Sequence, residues 1–418
     1  MALRKMILVC SAVLGLWTAG PARAAVYYVS PRGNDAAAGT SPTAAWRTLT
    51  KVNGLKFQPG DSVLLEGGQT FAGPLVVWAS GAPGAPVTFG SYGTGRATIA
   101  GQTNNTVFLH AANWVTIQNL RLTAEGADMH VVVSDPRTTS AYVTIRNNLI
   151  TDTDAFGINS PSLTDHHWTI QGNTIDQTGE TGITFRGSSF SVIGNVVEST
   201  GLNPSEAAHA IYAKGPAAQV IGNVVDRFSS SGVSIRYPNS VVRGNVISGG
   251  LIGVSYFQDA GVSSGGTSTI AYNRISEVSV AGVFLDDSSY ERFVIANNTI
   301  RMAKGNGLNL HRVPALTLVN NLVTGTFDGY TVLLKRPTGA YVERNNLWYP
   351  GRVLADVHTG VGNLGADPLL DAALRPRRGS PVVDAGFAVR GLYRRGCDGK
   401  AFHYCGNAPD IGALESRC

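Results

Sequence analysis

From about residue 107 onward, a short phrase of alternating apolar and polar residues returns at regular intervals. It reads VTIRNNLI, WTIQGNTI and VIANNTI at three of its places. Its recurring asparagines are Asn148, Asn173, Asn195, Asn223, Asn245, Asn273, Asn298, Asn321 and Asn346. The mean interval is about 25 residues, which is a solenoid period.

Each period holds two β-rich runs, the asparagine phrase and a second run that begins with Gly-Ile or Gly-Val. Alternating runs joined by Gly, Ser, Thr and Asp predict strands, and the period is too short for a strand, a helix and two returns. One asparagine per turn can stack on the next and satisfy buried amide groups. The pattern therefore predicts an all-β parallel β-helix of about ten coils.

The first 24 residues have the composition of a secretory signal peptide. Arg4 and Lys5 precede an apolar run from Met6 to Trp17, and Ala22-Arg23-Ala24 is a small-x-small cleavage site. We therefore expect a secreted protein, extracellular or periplasmic. No second stretch is long and apolar enough to span a bilayer.

Charge argues against nucleic acid as a partner. The formal net charge is +5, but the leader carries three basic residues and no acidic one, so the mature chain has a net charge of +2. Electrostatic attraction of a partner therefore depends on local clusters of charge rather than on the net charge. We expect a monomer that binds neither nucleic acid nor, after cleavage of the leader, a membrane.

Cys397 and Cys405 lie close together in the loop-like segment GCDGKAFHYCG. In an oxidising compartment they are expected to form a disulfide. Cys418 at the end of the sequence is then the odd cysteine, either free or an alternative partner for one of the two.

Four segments outside the repeat are informative: VYYVSPRGNDAAAGTSPTAAWRTLTKV, QPGDSVLLEGGQTFAG, GSPVVDAG and PDIGALE. In these segments and in its repeat the chain resembles the pectate-lyase-like right-handed β-helix superfamily. The resemblance implies an N-terminal strand, cap and first coils over residues 25–106, helix repeats over 107–350 and a closing segment over 351–418. The superfamily includes lyases, hydrolases, epimerases and proteins of no known activity, so function has to be argued from the site.

Stacking the second runs in register predicts a charged column on one face. The runs are GINSP (157–161), GITFR (182–186), AIYAK (210–214), GVSIR (232–236), GVSYF (253–257), GVFLD (282–286), GLNLH (307–311) and TVLLK (331–335). Positions two and four face the core, so positions three and five face outward. Fifth positions then place Arg186, Lys214 and Arg236 in consecutive coils at a spacing of about 4.8 Å. Like charges in register are destabilising, so we predict a polyanion-binding surface, with solvated side chains as the alternative.

A second column follows the asparagines. Asp176, Glu198 and Asp226 occupy it in three consecutive coils, which we expect to lie beside the basic residues. Stacked carboxylates suit Ca²⁺, and the alternative is that they pair with Arg227 or are solvated.

The long turn STGLNPSEAAHA adds Glu206 and His209 above the basic surface. His209, Tyr212 and Lys214 are expected to point outward within one coil, with Tyr237 as a sugar-stacking residue. This set suits β-elimination on an acidic, uronate-containing polysaccharide. Arg186 and Arg236 would bind the carboxylate. Lys214, between two positive charges, would supply neutral amine as the base, and Tyr212 or His209 would be the acid, or either one the base instead.

Three alternatives remain. Asp286 and Asp287, followed by His311 and Lys335 on the next coils, look like the polygalacturonase arrangement, although the Asn-Thr-Asp, Gly-His-Gly and Arg-Ile-Lys motifs of that family are absent. The non-catalytic alternative is that Asp286, His311 and Lys335 form a ladder of ion pairs on the surface. FGINSP (156–161) faintly resembles the uronate C5-epimerase motif, and a non-catalytic polysaccharide-binding protein would use the same basic column.

Four tryptophans lie in or beside apolar runs. We expect Trp46, Trp78, Trp114 and Trp168 to be core or stacking residues rather than platforms for a sugar.

Overall fold

Three strands, not two, recur in every coil of the computed structural model. It describes residues 24–101, 105–124, 129–203, 208–260, 262, 265–286, 291–325, 328–335, 339–355, 360–390, 393–396 and 402–416. The strands of successive coils pair in parallel and form three long sheets, which we number in the order in which each coil enters them. The predicted all-β parallel β-helix is therefore confirmed. The second and third sheets have twelve strands each, close to the ten or so predicted coils.

The first sheet contains Val26–Val29, Ser62–Glu66, Val87–Tyr92, Val115–Gln118, Thr144–Arg146, Thr169–Gln171, Ser191–Ile193, Gln219–Ile221, Val241–Arg243, Thr267–Ala271, Arg292–Ala296, Ala315–Val319 and Tyr341–Arg344. The second contains Thr70–Ala72, Ala97–Gly101, Leu120–Ala124, Leu149–Thr153, Thr174–Thr178, Val196–Thr200, Val224–Phe228, Val246–Ser248, Arg274–Ser276, Thr299–Met302, Leu322–Gly325 and Leu347–Trp348. The third contains Leu75–Val77, Val107–Leu109, Val132–Ser134, Ile158–Ser160, Ile183–Phe185, Ile211–Ala213, Ser231–Ile235, Ile252–Phe257, Ala281–Asp286, Asn306–His311, Val332–Lys335 and Val353–Ala355.

The asparagine phrase was predicted as one strand and is two. The residue before each recurring asparagine has a positive φ, for example 61° at Gly172 and 54° at Asn147. Glycine and asparagine adopt this left-handed conformation at least cost. The chain turns a corner there, so the phrase ends a strand of the first sheet and begins one of the second.

The predicted asparagine ladder is confirmed inside this corner. Asn173 Nδ2 donates to Asn195 Oδ1 at 3.0 Å and to the Ile145 carbonyl at 2.8 Å, and the pattern repeats coil by coil. It extends one step beyond the predicted set, because Asn346 Nδ2 donates to Asn363 Oδ1 at 3.3 Å. The ladder satisfies a row of buried amides along the axis.

The register predicted for the third sheet is also confirmed. Ala213 pairs with Phe185 on one side and Ile235 on the other, and all three are fully buried. The glycine that opens most of these runs is required by close approach of the next coil. A Cβ at Gly253 would lie 2.6 Å from the Gly282 carbonyl oxygen.

At the N-terminal end, the strand Val26–Val29 pairs with Ser62–Glu66, and a 3₁₀ turn, Pro42–Ala44, precedes a short helix, Leu49–Asn53. The Thr48 hydroxyl caps this helix by accepting the Lys51 N–H at 3.1 Å. The helix buries Leu49 and Val52 in the core of the solenoid.

The C-terminal segment packs along the side of the solenoid. Asn297, Asn320 and Asn345 precede ladder asparagines, and their Nδ2 groups donate to the carbonyls of Asp410, Phe387 and Ala385 at 2.9 to 3.1 Å. Val382 and Ile411 bury their side chains against Leu322 and Leu347. A two-stranded ladder joins Arg394–Arg395 to His403–Tyr404.

Cys405 belongs to a disulfide, while its predicted partner Cys397 and the odd Cys418 lie outside the described residues. The predicted leader, apart from Ala24, also lies outside them. No helix in the described part of the chain is long and apolar enough to cross a membrane.

Candidate functional site

Arg186, Lys214 and Arg236 form a column on the third sheet, as predicted. The residues directly before them, Phe185, Ala213 and Ile235, are paired in register. The backbone amides of Lys214 and Arg236 donate to the carbonyls of Phe185 and Ala213 at 2.8 and 3.1 Å. We call these three residues the basic column. Adjacent members are one coil apart, about 4.8 Å.

Aromatic rings lie against two of the three charges of the basic column. The Tyr212 ring centroid lies 5.2 Å from Lys214 Nζ and 5.1 Å from Arg236 Cζ. Arg236 Cζ also lies 4.8 Å from the centroid of Phe257. Cation–π attraction to these rings offsets part of the like-charge repulsion and fixes the cations in place.

Unused hydrogen-bonding capacity remains in the basic column. Arg236 Nε is buried and meets no acceptor among the described residues. A buried donor without a partner costs free energy until a ligand or water satisfies it. The arrangement can therefore accept an anion whose oxygens reach the Arg236 fork.

Asp259 is the one carboxylate, within the described part of the chain, that lies within 4 Å of a basic-column nitrogen. Its Oδ2 is 3.6 Å from Lys214 Nζ. Sequence reasoning missed this residue, because it lies in the loop after Ile252–Phe257 and reaches back across two coils. Stacking of strands gives no signal for such a contact.

His209 is only 7% exposed, and its ring lies 4.5 Å from that of Tyr212. Burial, together with the charges of Arg236 and Lys214, lowers the pKa of His209 to about 4. Its Nδ1 accepts the Ser231 N–H at 3.3 Å. The imidazole is therefore neutral at pH 7, with its proton on Nε2, and acts as a hydrogen-bond donor rather than as a free base.

A cavity of about 270 Å³ opens beside His209 and Tyr212. Its lining includes Arg186 and Lys214 of the basic column, together with Phe156, Asn159, Glu180, Thr181, Thr184 and Ala208. The structure thus brings His209, Tyr212, Lys214 and Arg186 to one place. Tyr237 is half-buried next to Arg236 in the chain, and Glu206 lies outside the described residues.

The acidic column does not lie beside the basic column. Asp176, Glu198 and Asp226 are in register, but on the second sheet. Arg227 already binds two of them, donating to Glu198 Oε2 at 2.6 Å and to Asp226. Among the residues that the structure describes, no group of three His, Cys, Asp or Glu side chains is arranged to hold a metal ion. Two of the three carboxylates are thus already engaged by Arg227, and calcium binding at this column stays a prediction.

Asp286, His311 and Lys335 occupy successive coils farther along the third sheet, as predicted, and line a cavity of about 390 Å³. Arg312, which sequence reasoning did not include, also lines it and lies 3.4 Å from Asp286 Oδ1. His311 Nε2 is buried without a hydrogen-bond partner among the described residues. Asp287 lies outside them.

The tryptophans divide into two groups. Trp46 and Trp168 are core residues, and Trp114 stacks on Tyr142 with centroids 4.1 Å apart. Trp78 is not a core residue, because 57% of it is exposed. It directly follows Leu75–Val77 of the third sheet, and this position points its side chain outward.

Comparisons with known proteins agree with this architecture. Residues 162–347 match the family described as right handed beta helix region. A stretch of 135 residues is 34% identical to a lacto-N-biosidase of Bifidobacterium longum subsp. longum, covering 25% of this chain and 8% of that protein. The chain thus spans less than a tenth of the length of this relative.

Solved structures are similar over most of the chain. The pectate lyase Pel9A superposes with a TM-score of 0.55 and 18% identity over 93% of this chain and 96% of its own. XylC in complex with xylose superposes with a TM-score of 0.60 and 10% identity, over 83% of this chain and 87% of its own. The lacto-N-biosidase of Eubacterium ramulus superposes with a TM-score of 0.53 and 15% identity, over 76% of this chain and 68% of its own. The chain is a right-handed parallel β-helix protein.

Proposed function

We propose that this protein cleaves an acidic, uronate-containing polysaccharide by β-elimination at the basic column. The observation that carries the proposal is the column itself: three cations in consecutive coils, two of them in contact with aromatic rings, with one carboxylate in ion-pair distance in the described part of the chain. A polymer that carries one carboxylate per sugar matches such a row of charges. Carbohydrate names among the similar proteins favour a sugar polymer over other polyanions.

Each residue of the basic column has a role in the proposed reaction. Arg186 and Arg236 neutralise the uronate carboxylate, which stabilises negative charge on the adjacent carbon. Lys214 removes the proton from that carbon as the general base. The electron pair forms a carbon–carbon double bond while the bond to the glycosidic oxygen breaks.

Tyr212 is proposed as the acid that protonates the departing oxygen, because its ring lies between Lys214 and Arg236. His209 is neutral and donates a hydrogen bond from Nε2, so we assign it to orienting Tyr212 and the substrate. No step is routed through calcium. Ca²⁺ dependence is measured separately by adding the ion or a chelator.

A secreted location is part of the proposal. It is supported by the composition of the leader and by the disulfide at Cys405, since disulfides persist in oxidising compartments.

A glycoside hydrolase acting at Asp286 is the second candidate. His311 Nε2 without a partner and the cavity that it shares with Asp286 and Lys335 favour it. The name of the B. longum relative, lacto-N-biosidase, also favours glycosidic cleavage. Such an enzyme needs a second carboxylate, and Asp287 next in the chain is the candidate.

One assay with two variants separates these functions. The full chain is incubated with a panel of uronate polymers, while ultraviolet absorbance of unsaturated uronate and new reducing ends are both measured. Elimination that Lys214→Ala abolishes and Asp286→Asn leaves intact supports the lyase. Reducing ends without the chromophore, lost in Asp286→Asn, support the hydrolase.

Two further results would place the protein in the remaining classes. Incorporation of solvent hydrogen without chain cleavage would indicate an epimerase. Polymer binding without either change would indicate a binding protein. Either of these would contradict the proposed lyase.

A further inference from the structure

The outward column that contains the basic residues continues to the N-terminal end of the third sheet. Pairing of Val77 with Leu109 and of Leu109 with Ser134 places Trp78, His110 and Asp135 at equivalent positions in the first three coils. Pro161 and then Arg186 follow in the next two. Trp78 therefore lies four coils, about 19 Å, from Arg186 along one face.

Trp78 presents an aromatic surface at this end. It is 57% exposed, whereas Trp46, Trp168 and Trp348 are buried. Its ring centroid lies 4.1 Å from that of His110, with 45° between the planes. An exposed indole leaves apolar surface in water, which is unfavourable. Because Trp78 lies outside the core, packing of the fold does not call for a tryptophan at this position.

Hydrogen bonds to a buried carboxylate hold His110 in place. His110 Nδ1 is 2.8 Å from Asp135 Oδ2, and Asp135 is fully buried. Arg137 donates two side-chain hydrogen bonds to the same carboxylate, both at 3.0 Å, and these bonds hold the pKa of Asp135 far below its usual value. The His110 ring against which Trp78 packs is therefore held in place before any ligand binds, which reduces the entropy cost of binding.

We infer that Trp78 and His110 form a distal subsite that binds a pyranose ring of the same polysaccharide whose carboxylates occupy the basic column. This inference rests on the proposed function, because it takes the polymer to lie along the third sheet. The apolar face of a sugar packs on the indole, while the neighbouring polar groups meet its hydroxyls. The subsite gives the protein a preference for chains long enough to reach from the basic column to Trp78.

The test compares Trp78→Ala with Trp114→Ala, a control that removes another surface-stacked tryptophan lying off this column. The Michaelis constant and kcat are measured with uronate oligosaccharides of increasing length. For long chains we expect Trp78→Ala to raise the Michaelis constant about five-fold with kcat unchanged, and to have no effect on short chains. The control should match the parent protein at every length.

Binding measured without turnover keeps the inference separate from the proposed reaction. Tryptophan fluorescence of the full chain is titrated with the same oligosaccharides. Quenching that depends on length and is lost only in Trp78→Ala supports the subsite even if no elimination product forms, in which case the lyase proposal fails alone. Equal affinity of Trp78→Ala and the parent for the long chains would overturn the inference while leaving a measured lyase activity intact.

Discussion

Tyr212 touches most of the groups on which the proposed chemistry depends. Its ring lies within 5.2 Å of the cationic groups of Lys214 and Arg236 and 4.5 Å from the ring of His209. The ring and the hydroxyl have separable roles, since the ring attracts the cations and the hydroxyl would give up a proton.

We expect Tyr212→Phe to lower kcat about 100-fold or more, with little change in the Michaelis constant. Removing the acid slows proton transfer, while the phenyl ring keeps the cations in place. Steady-state kinetics on the polymer cleaved by the parent protein give both constants. Full activity in this variant would exclude Tyr212 as the acid.

The neutral state of His209 predicts a pH dependence of stability. The pKa is about 4 in the folded protein and 6.5 for an unperturbed imidazole, so the unfolded chain binds more protons between these values. Stability therefore rises with pH in this window and is lost as pH falls through it. The loss attributable to His209 is about 3 kcal/mol below pH 4.

Urea unfolding near pH 7 and near pH 4 measures this contribution. Relative to the parent protein, His209→Gln should retain about 3 kcal/mol more of its stability on acidification. An identical pH dependence in the two proteins would show that His209 is not buried as a neutral group.

At the scale of elements, the corner between the first and second sheets is set by residue pairs. The second residue of each pair is the buried ladder asparagine, and the first has a positive φ. The first residue is also asparagine in four pairs, and in three of them, at Asn297, Asn320 and Asn345, its side chain binds the C-terminal segment; the fourth, Asn147, shows no such bond among the described residues. The Asn-Asn dipeptides of the last three ladder steps thus mark tertiary contacts that the repeat alone does not reveal.

A ladder asparagine in the middle of the stack should contribute more than the one at its end. Replacing Asn223 by alanine removes the acceptor of the buried Asn195 N–H and the donor to the Val192 carbonyl, while Asn195 Nδ2 keeps only its bond to the Ile170 carbonyl. We expect a loss of about 3 kcal/mol. The control is Asn363→Ala, whose half-buried position lets water replace the lost bonds. Urea unfolding should give Asn223→Ala a clearly lower free energy of unfolding than Asn363→Ala. Equal losses of stability in the two variants would contradict a cooperative buried ladder.

Sequence periodicity predicted the parallel β-helix and the register of the third sheet, because alternation with period two fixes which side chains are buried. Arg186, Lys214 and Arg236 could therefore be aligned from the sequence. The corner inside the asparagine phrase was missed, since a single left-handed residue hardly disturbs the hydrophobic pattern. Asp259 and Arg312 were missed because contacts from loops follow no period. The acidic column was expected to lie beside the basic residues and instead belongs to the second sheet, because the missed corner makes the residues after each asparagine a separate strand.

At the scale of the whole molecule, the third sheet presents one continuous outward column. It begins with Trp78 and His110, passes through the basic column and reaches Asp286, His311 and Lys335. A solenoid repeats one backbone unit along an axis, so it offers a linear polymer a binding position at each coil. Asp286 thereby lies two coils, roughly 10 Å, from Arg236 and three coils, roughly 14 Å, from Lys214 on the same face.

The measurement that tests the central claim most directly is the ultraviolet absorbance of the full chain incubated with uronate polymers, with Lys214→Ala alongside. We expect the unsaturated uronate chromophore to appear with the parent protein on at least one polymer and to be absent with the variant, whose fold should be unchanged by circular dichroism. No chromophore on any polymer, or an equal rate with Lys214→Ala, would contradict β-elimination at the basic column.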